Sequence, residues 1–406
     1  MDDIEVPSFF ICPISLQIMK DPVTAITGIT YDRESIEHWL FKSKNTTCPV
    51  TKQPLPTDSD LTQNHNLRRL IQAWCTENAS YGIDRIPTPK PVLNKFHVLQ
   101  LIKDLSQPHL QLKTLRRLEI LATQNERNRK YMLEAGIVKA MVLFIVSCFK
   151  KNQLVGLEEA LSILHLVKIP KAEANIENYP IFESLIWVLG CQMDNHVSVK
   201  THAVVVLRKI IETAGSNVLE IPKPEFFERI VGVLRDGISQ QGINAVLNIM
   251  LDACPWARNR SMMAEAGAVF ELIEIELGSP EKRTTELILG VLFNLCSCAI
   301  GRAQFLSHSG SIAVVSKRIL TVSPAADDRA IMILSLICKY SGNSMVPQEM
   351  MIVGAVSRLC KVLQVDSATY LKDKAKEILR SHFDVWMKSP CIAAIDRPLL
   401  TDRRCN

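Results

Sequence analysis

The chain has 406 residues, of which 47% are hydrophobic and 22% are charged, so we expect two or three folded domains rather than a disordered protein. Residues 1–75 carry seven Lys/Arg and nine Asp/Glu, a net charge of −2, and the remainder carries +7 of the total of +5. This charge is too small and too dispersed to predict nucleic-acid binding, which requires Lys and Arg clustered on one face.

The cysteines and the apolar runs indicate the compartment. Twelve cysteines are scattered singly, and no two form a C-x-x-C pair, which predicts buried thiols in a reducing environment rather than disulfides. The N-terminus, MDDIEVPS, has no apolar core, so no signal peptide is expected. The longest apolar run, 138–149, is too short to span a bilayer. We therefore expect a cytoplasmic protein, with the nucleus also accessible and no membrane insertion.

The first predicted elements form a hairpin and a helix. Two β-prone runs, 23–26 and 29–31, flank a Thr-Gly pair and predict a β-hairpin. Asp32 then stands where the N-cap of a helix is expected. Helical periodicity follows over 33–42.

Each helix of this N-terminal block has an apolar face. In the first, Ile36 and Leu40 are four residues apart and are predicted to face the core. A closing helix is predicted over 64–75, and its apolar stripe contains Leu67, Leu70, Ile71 and Trp74. Three prolines in 81–91 then predict a stiff linker, in which Thr88-Pro89 is a linker dipeptide or, alternatively, a phosphosite.

From residue 92 onward the chain repeats with a step of 42–45 residues. Equivalent helix starts fall at Pro91, Gly136, Pro180, Glu225, Gly267, Gly310 and Gly354. A second register centres the longer helices on residues 121, 164, 207, 249, 292, 334 and 379. An alanine precedes five of these centres by four residues, at 160, 203, 245, 330 and 375. All-helical units of this length predict an armadillo/HEAT solenoid. Two short segments, NRKYMLEAG and NRSMMAEAG, resemble the armadillo consensus.

Residue types alone do not identify a catalytic site. Cys12 and Cys48, with His38 nearby in the sequence, are candidate nucleophiles, but covalent catalysis needs a base and an orienting group within reach. Both cysteines precede proline in apolar surroundings, which favours buried structural thiols. Zinc is not favoured either, because Cys12, His38, Cys48, His65 and Cys75 stand singly rather than in pairs.

The block over residues 5–77 resembles the U-box, a metal-free relative of the RING finger. The resemblance is carried by CPISLQIMKDPV, by the TYDR turn followed by SIEHWL, and by CPVTKQPL and NHNLRRLI, in the family's order. In that family hydrogen bonds and salt bridges replace two zinc ions, so neither a metal nor another cofactor is expected. The resemblance assigns this structural network to Ser15, Asp21, Asp32, Arg33, Thr51 and Asn64, because buried polar groups must be paired.

The order of the two regions resembles the plant U-box/armadillo E3 ubiquitin-protein ligases, and the short N-terminus and direct linker resemble the branch associated with stress and defence. The implied fold is mostly α, a small α+β U-box followed by an all-α, right-handed armadillo solenoid. The implied boundaries are 5–78 for the U-box, 79–91 for the linker, 92–388 for about seven repeats and 389–406 for a frayed tail or cap.

The resemblance implies an enzyme that makes no covalent intermediate with ubiquitin. Its U-box holds a ubiquitin-charged E2 conjugating enzyme and orients the thioester for transfer to a substrate lysine. The family's docking groove corresponds here to Ile14, Leu16, Trp39 and Pro49. Trp39 lies about 100° from Leu40 on the helix, at the edge of the predicted buried face. Core packing is the alternative for Ile14 and Trp39.

Lys52 matches the family's linchpin position, which bridges the conjugating enzyme and ubiquitin. Many members have arginine there, and lysine keeps the charge but lacks the planar fork of donors. A solvated lysine without a role is the alternative for Lys52.

The solenoid is expected to bind the protein substrate along its concave groove. Import-type armadillo proteins carry an asparagine ladder whose positions correspond here to residues 123, 166, 209, 251, 294, 336 and 381, and Asn294 alone matches it. This departure favours a folded surface or a helix over an extended peptide as the ligand. Leu166, Leu251 and Leu336 either make the groove apolar or pack in the core.

Three hypotheses of function stay open at this stage. The main one is a single-chain ubiquitin ligase whose solenoid selects the substrate. The second is an armadillo scaffold whose U-box docks a conjugating enzyme with little or no turnover, and the third is a factor that elongates existing ubiquitin chains. A homodimer formed through the U-box is also left open.

Overall fold

The computed structural model describes residues 6–43, 45–56, 61–79, 83, 94–169, 178–193, 196–220, 223–340 and 345–387. The chain divides into two compact units, Met1–Asn94 and Lys95–Asn406. Apart from residues 79 and 83, the predicted linker and its Thr88-Pro89 dipeptide lie outside the described residues, as does the whole predicted tail.

The first unit is a small α+β fold built on a three-stranded sheet. Its elements are a 3-10 turn, Ser8–Phe10, strands β1, Pro22–Thr24, and β2, Thr30–Asp32, helix α1, Arg33–Glu37, with a π-helical turn, His38–Lys42, strand β3, Thr62–Gln63, and helix α2, His65–Glu77. The sheet order is β2-β1-β3, and both pairs are antiparallel. The predicted hairpin is confirmed, with Val23 opposite Tyr31 and the turn at Gly28, whose φ is +80°. Strand β3 was not predicted.

The core of this unit follows the predicted periodicity of α1 but not all of that of α2. Ile36 and Leu40 are both fully buried, as predicted. Leu70 is 57% exposed, so its place on the apolar stripe is wrong. The buried face of α2 is centred between Ile71 and Cys75, and at 100° per residue Leu70 lies about 120° from that centre.

The second unit consists of helices throughout its described part. In chain order they are α3, Lys95–Asp104; α4, Pro108–Gln124; α5, Glu126–Glu134; α6, Ile137–Lys151; α7, Leu157–Leu166; α8, Asn178–Gly190; α9, His196–Ala214; a 3-10 turn, Ser216–Leu219; α10, Pro224–Arg235; α11, Gln240–Ala253; α12, Ala257–Glu265; α13, Ala268–Leu277; α14, Lys282–Cys296; α15, Ala299–Ser307; α16, Ser311–Arg318; α17, Pro324–Tyr340; α18, Met345–Ile352; α19, Ala355–Gln364; α20, Thr369–Ser381; and α21, Phe383–Trp386.

These helices stack as the predicted solenoid. The seven predicted centres lie in α4, α7, α9, α11, α14, α17 and α20, which we call the third helices of the units. Each of these helices contacts the next one along the chain. The helices that precede them, α6, α8, α10, α13, α16 and α19, which we call the second helices, also contact one another in chain order and form a second row. Six of the seven centres are fully buried, and Leu121 is half-buried. The five alanines are buried as well, which allows the close approach of neighbouring helices that their position predicts.

The predicted helix starts agree best where a glycine turns the chain. Gly136 and Gly267 have φ of +79° and +88° and directly precede α6 and α13, in the left-handed conformation that glycine adopts readily. Pro180 and Glu225 lie within the first three residues of their helices instead. The start predicted at Pro91 lies outside the described residues.

Arginines at equivalent places cap the ends of the third helices. Arg129 donates to the carbonyl of Ala122 at 2.9 Å, Arg260 to that of Cys254 at 2.6 Å, and Arg302 to that of Cys296 at 3.0 Å. The last carbonyls of a helix have no partner within it, so each arginine satisfies one and joins consecutive units. This capping explains why the NR pair recurs in NRKYM and NRSMM.

A buried ion pair joins two neighbouring units. Glu276 of α13 is fully buried, and its Oε1 accepts from Arg318 Nε of α16 and from the Thr285 hydroxyl at 3.0 Å. Arg318 also donates to the Glu276 carbonyl at 2.8 Å. Burial raises the pKa of Glu276, and the charge of Arg318 and the two side-chain hydrogen bonds only partly offset this.

No single helix in the described residues is long and apolar enough to cross a membrane. Two bent pairs, Glu126–Glu134 with Ile137–Lys151 and Lys282–Cys296 with Ala299–Ser307, reach the required length and composition only when each pair is taken together.

We predict that Glu276→Ala lowers the free energy of unfolding by about 3 kcal/mol, because it leaves Arg318 largely buried without its counter-charge. The matched control is Glu271→Ala, on the same helix, which breaks the ion pair with the 63% exposed Arg235 and should cost less than about 1 kcal/mol. Urea unfolding of the full chain measures both, and equal losses would contradict the prediction.

Candidate functional site

The first unit contains two loops of the same construction. CPISLQ, residues 12–17, and CPVTKQ, residues 48–53, each begin with a cysteine followed by proline. In both loops the cysteine N–H donates to the glutamine carbonyl at 2.8 Å. The fifth residue of each loop, Leu16 or Lys52, donates its N–H to the cysteine carbonyl and has a left-handed φ, +55° or +60°. The apolar side chain of Leu16 and the charged side chain of Lys52 therefore lie at equivalent loop tips.

The sulfur of Cys12 and the carboxylate of Asp32 hold the first loop. The Asp32 N–H donates to Cys12 Sγ at 3.3 Å. Asp32 Oδ1 accepts from the N–H groups of Lys20 and Asp21 at 2.7 and 2.9 Å. Asp32 is the N-cap residue of α1, as predicted, but its side chain makes no capping hydrogen bond. Its Oδ1 is engaged instead by the two N–H groups that follow the first loop.

Burial raises the pKa of the Cys12 thiol, but hydrogen bonds from the Ser15, Asp32 and Ile14 N–H groups and the Ser15 hydroxyl outweigh it, so the net shift is downward. Ser15 in the first loop thus corresponds to Thr51 in the second loop, because each lies three residues after its cysteine.

A charged network ties the start of α1 to the sheet. Arg33 Nε contacts Asp21 Oδ2 at 2.6 Å, and Gln63 Nε2 donates to Asp21 Oδ1 at 3.0 Å. Asn64 accepts from the Leu67 N–H at 3.0 Å, which caps α2, and its amide donates to the Thr24 hydroxyl at 3.4 Å.

The sulfur of Cys48 forms hydrogen bonds with groups of the hairpin and of the second loop. The hydroxyls of Tyr31 and Thr27 lie 2.9 and 3.4 Å from it, and the Thr51 N–H donates to it at 3.4 Å. Burial raises the pKa of Cys48, but hydrogen bonds from Thr27, Thr51 and Tyr31 outweigh burial and lower it to about 6. Burial and the neighbouring Cys48 raise the pKa of Tyr31, so the phenol keeps its proton. The surroundings of Cys48 are therefore polar, not apolar as its sequence context suggested.

Apolar side chains are exposed around these loops. Leu16 is 75% exposed and Val50, the second-loop equivalent of Ile14, is 51% exposed. Ile14, Trp39 and Pro49 are half-buried, and Ile14 and Trp39 also pack against the core. Half-burial means that for Ile14 and Trp39 core packing and an exposed face coexist.

The helical segment of α1 and its π-helical turn lies between the two loops. Trp39 Nε1 donates to the Thr47 carbonyl at 2.8 Å, at the base of the second loop. On the other side, His38 and Ile14 line the same depression of about 360 Å³ beside the first loop. The structure therefore places the first loop, the central helix and the second loop next to one another in the order that the resemblance predicts.

The charged and nucleophilic groups of the unit differ in access. Lys52 is exposed, whereas Cys12 and Cys48 are both fully buried. Among the described residues, no three His, Cys, Asp or Glu side chains are grouped as metal ligands would be. At the tips of the two loops the accessible groups are thus the apolar Leu16 and Val50 and the ammonium group of Lys52.

The ladder positions of the solenoid offer few free polar groups. Asn294 donates to the Gly290 carbonyl of its own helix at 2.8 Å. Lys209 donates to the His165 carbonyl at 2.6 Å, at the end of the preceding third helix, and Thr123 and Ser381 donate to carbonyls of their own helices. All four polar ladder residues therefore donate to backbone carbonyls.

The apolar ladder positions are half-buried. Leu166, Leu251 and Leu336 each keep part of their surface accessible. A Cβ added at Gly290 would lie 3.3 Å from Leu251 Cδ2, so Leu251 also packs between neighbouring third helices. Near the last units, a cleft of about 470 Å³ between α14, α17 and α20 has Phe293, Met332 and Tyr370 among its lining residues.

Sequence reasoning missed several residues of this site. Val50 was detectable, because CPISLQ and CPVTKQ align residue by residue. Tyr31 and Thr27 were not, because they meet Cys48 across 17 and 21 residues of sequence. Gln63 was missed because β3 was not predicted.

Comparisons with known proteins identify the family of the chain. The family model "U-box domain" matches residues 6–80, and "Plant U-box protein ARM repeat region" matches 97–400. E3 ubiquitin-protein ligase PUB24 of Arabidopsis thaliana is 45% identical, covering 98% of this chain and 96% of that protein. E3 ubiquitin-protein ligase PUB23 of the same organism is 42% identical, covering 96% of each. Among solved structures, a designed armadillo repeat protein is 14% identical with a TM-score of 0.35, covering 70% of this chain and 99% of that one.

We predict a pH dependence of stability that originates at Cys48. Its folded-state pKa of about 6 is below its ordinary value of 9.0, so the unfolded chain holds a proton that the folded chain releases. The stabilisation is therefore complete above pH 9 and is lost as the pH falls to about 6. Urea unfolding between these pH values should show a shallower rise of stability in Cys48→Ala than in the wild type.

The control for this prediction is Cys75→Ala. Burial raises the pKa of Cys75 above its ordinary value of 9.0, so its thiol stays neutral in the folded and unfolded chain up to about pH 8, and the substitution should shift stability by the same amount between about pH 6 and about pH 8. A Cys48→Ala curve parallel to the wild-type curve would contradict the prediction.

Proposed function

Because the chain belongs to the plant U-box and armadillo-repeat family of E3 ubiquitin-protein ligases, we propose that its first unit docks a ubiquitin-charged E2 conjugating enzyme while its solenoid holds the protein that receives the ubiquitin. A ligase of this RING type is a transferase. The proposal concerns the surfaces with which this chain performs that activity.

The observation that carries the docking proposal is the exposure of apolar side chains on the two matched loops. Leu16 and Val50 project from loop tips, and the half-buried Ile14, Trp39 and Pro49 lie beside them. Exposed apolar residues around a tryptophan are typical of protein-binding surfaces. The left-handed φ of Leu16 is uncommon for a residue with a side chain, which favours a functional reason for its place.

The proposed chemistry is catalysis by orientation. Cys12 and Cys48 are fully buried, so neither thiol is accessible to accept ubiquitin from a partner, even though the pKa of Cys48 is low. Holding the charged conjugating enzyme and restricting its thioester to a reactive pose accelerates transfer without a covalent step on the ligase. Lys52, exposed at the second loop tip, is the proposed bridge between the conjugating enzyme and ubiquitin.

For the solenoid, we propose recognition of a folded surface or a helix. An extended peptide is bound through free side-chain amides that pair with its backbone, whereas Asn294 donates within its own helix. Leu166, Leu251 and Leu336 supply accessible apolar area instead. The cleft between α14, α17 and α20 is a proposed subsite of this groove.

The proposed boundaries are the predicted ones, 5–78 for the U-box, 79–91 for the linker, 92–388 for the repeats and 389–406 for the tail. A role in stress and defence signalling, in the cytoplasm with access to the nucleus, is proposed from the family resemblance. Homodimerisation through the U-box is proposed on the same basis.

The second candidate function is a scaffold with a weakly active U-box. Lysine in place of the arginine common at the linchpin position supports it, because an ammonium lacks the planar fork that contacts two groups at once. The two candidates differ in turnover and not in docking.

We predict that reconstitution with activating enzyme, ubiquitin, ATP and a panel of conjugating enzymes produces ubiquitin ladders that survive reducing agent and chelator. Leu16→Ala and Val50→Ala should each lower the rate about tenfold, as loss of an interface anchor does. Lys52→Ala should also lower it, whereas Lys52→Arg should raise it, because arginine supplies the planar fork of donors. These three side chains are exposed, so the substitutions remove contacts without opening the core.

The matched control is Leu70→Ala on α2, which should leave the rate unchanged. Leu70 is 57% exposed, a fraction between those of Val50 and Leu16. Ladders lost on adding chelator, after the activating enzyme's own magnesium is restored, would contradict the metal-free site. No ladder with any conjugating enzyme, together with intact binding of one of them, would favour the scaffold.

A further inference from the structure

Lys52 is held in a conformation that side-chain-bearing residues seldom adopt. Its φ of +60° lies in the left-handed region. Two hydrogen bonds define this turn, from the Lys52 N–H to the Cys48 carbonyl at 3.0 Å and from the Cys48 N–H to the Gln53 carbonyl at 2.8 Å. Both bonds lie within the loop, so neither fixes the loop relative to the rest of the unit.

The side of the loop that carries Lys52 is attached to the hairpin through the sulfur of Cys48. The Tyr31 hydroxyl of β2 lies 2.9 Å from Cys48 Sγ, and the Thr27 hydroxyl of the hairpin turn lies 3.4 Å from it. Trp39 holds the base of the loop instead, at the Thr47 carbonyl. Tyr31 and Cys48 are both fully buried, so solvent cannot take the place of the phenol if it is removed.

The first loop shows what a different anchor looks like. It has the same internal bonds and the same left-handed residue, Leu16. Its sulfur, however, accepts from the main-chain N–H of Asp32, and the Asp32 carboxylate accepts from the N–H groups of Lys20 and Asp21, which follow the loop. Removing the Tyr31 hydroxyl therefore loosens the second loop and leaves the first one attached.

We propose that Tyr31 is a positioning residue for ubiquitin transfer, whose hydroxyl, acting through the sulfur of Cys48, holds the second loop so that Lys52 meets the charged conjugating enzyme in one orientation. This inference rests on the proposed function of Lys52. Tyr31 is buried and does not itself touch a partner, so its removal lowers the rate of transfer more than the affinity for the conjugating enzyme. That affinity draws on Val50 of the second loop but also on Leu16 and Trp39, which Tyr31 does not hold.

The kinetic test uses Tyr31→Phe in the full chain, which keeps the buried ring and removes one oxygen. Discharge of ubiquitin from a charged conjugating enzyme onto free lysine is measured in single turnover against ligase concentration. The maximal rate should fall about fivefold, the effect of one hydrogen bond, with the half-saturating concentration changed by less than about twofold. Tyr31→Phe combined with Lys52→Ala should be no slower than Lys52→Ala alone, because Tyr31 acts through Lys52.

The matched control is Thr30→Val, one residue away on β2. It removes a hydroxyl–hydroxyl bond to Thr24 of the same 2.9 Å length, which does not reach the second loop, and should leave the maximal rate unchanged. A Tyr31→Phe variant with the wild-type maximal rate, or one whose loss multiplies with that of Lys52→Ala, overturns the proposal.

Hydrogen exchange followed by mass spectrometry provides a readout that does not depend on ligase activity. In the full-length Tyr31→Phe chain, exchange over residues 45–56 should accelerate about fivefold, with exchange over 9–20 unchanged and Thr30→Val like the wild type. If Tyr31→Phe changes exchange over 45–56 no more than it changes exchange over 9–20, the positioning role is overturned even if the ligase is active. A different result would be accelerated exchange over 45–56 in the Tyr31→Phe variant when the wild-type chain discharges no conjugating enzyme. That result would contradict the proposed function of Lys52, and the role of Tyr31 in transfer would fall with it.

Discussion

Two buried sulfur atoms that accept hydrogen bonds organise the first unit. Each lies at the start of a Cys-Pro loop, and each satisfies donors that would otherwise be buried without a partner. The left-handed tips at Leu16 and Lys52 depend on these loops, and so do the exposed apolar residues beside them. A domain of this size has little core with which to hold such turns, so the hydrogen bonds to sulfur do what metal–ligand bonds do in related folds.

The same demand for paired polar groups shapes the solenoid. The last carbonyls of the third helices have no partners within those helices, and Arg129, Arg260 and Arg302 satisfy them from the next unit. Lys209 serves the end of α7 in the same way from a ladder position. Polar side chains that stabilise the stack in this way are not free to bind a ligand's backbone. The structure thus combines unit-to-unit cohesion with ladder positions at which three half-buried leucines stand beside polar side chains that already donate to backbone carbonyls.

Periodicity predicted what depends on neighbours close in sequence. Ile36 and Leu40 face the core because a four-residue step returns to the same side of a helix. The repeat register located all seven third helices. Leu70 was misplaced because the buried face of α2 is centred on Ile71 and Cys75, a choice made by the core that the helix packs against. Asp32 is the N-cap residue that its position predicts, but its side chain does not bond to the helix, and its Oδ1 accepts from the N–H groups of Lys20 and Asp21 instead.

The two regions, the number and spacing of the helical units and the hairpin could be predicted from the sequence, because local patterns of residues specify them. The family could be recognised as well, because it depends on the order of the motifs. The tertiary structure alone decided which groups meet at the two sulfurs. Tyr31 and Cys48 are 17 residues apart, and no local pattern brings a phenol to a thiol. Their hydrogen bond exists because the hairpin and the second loop pack together, which leaves the sulfur polar surroundings and lowers the pKa of Cys48 to about 6.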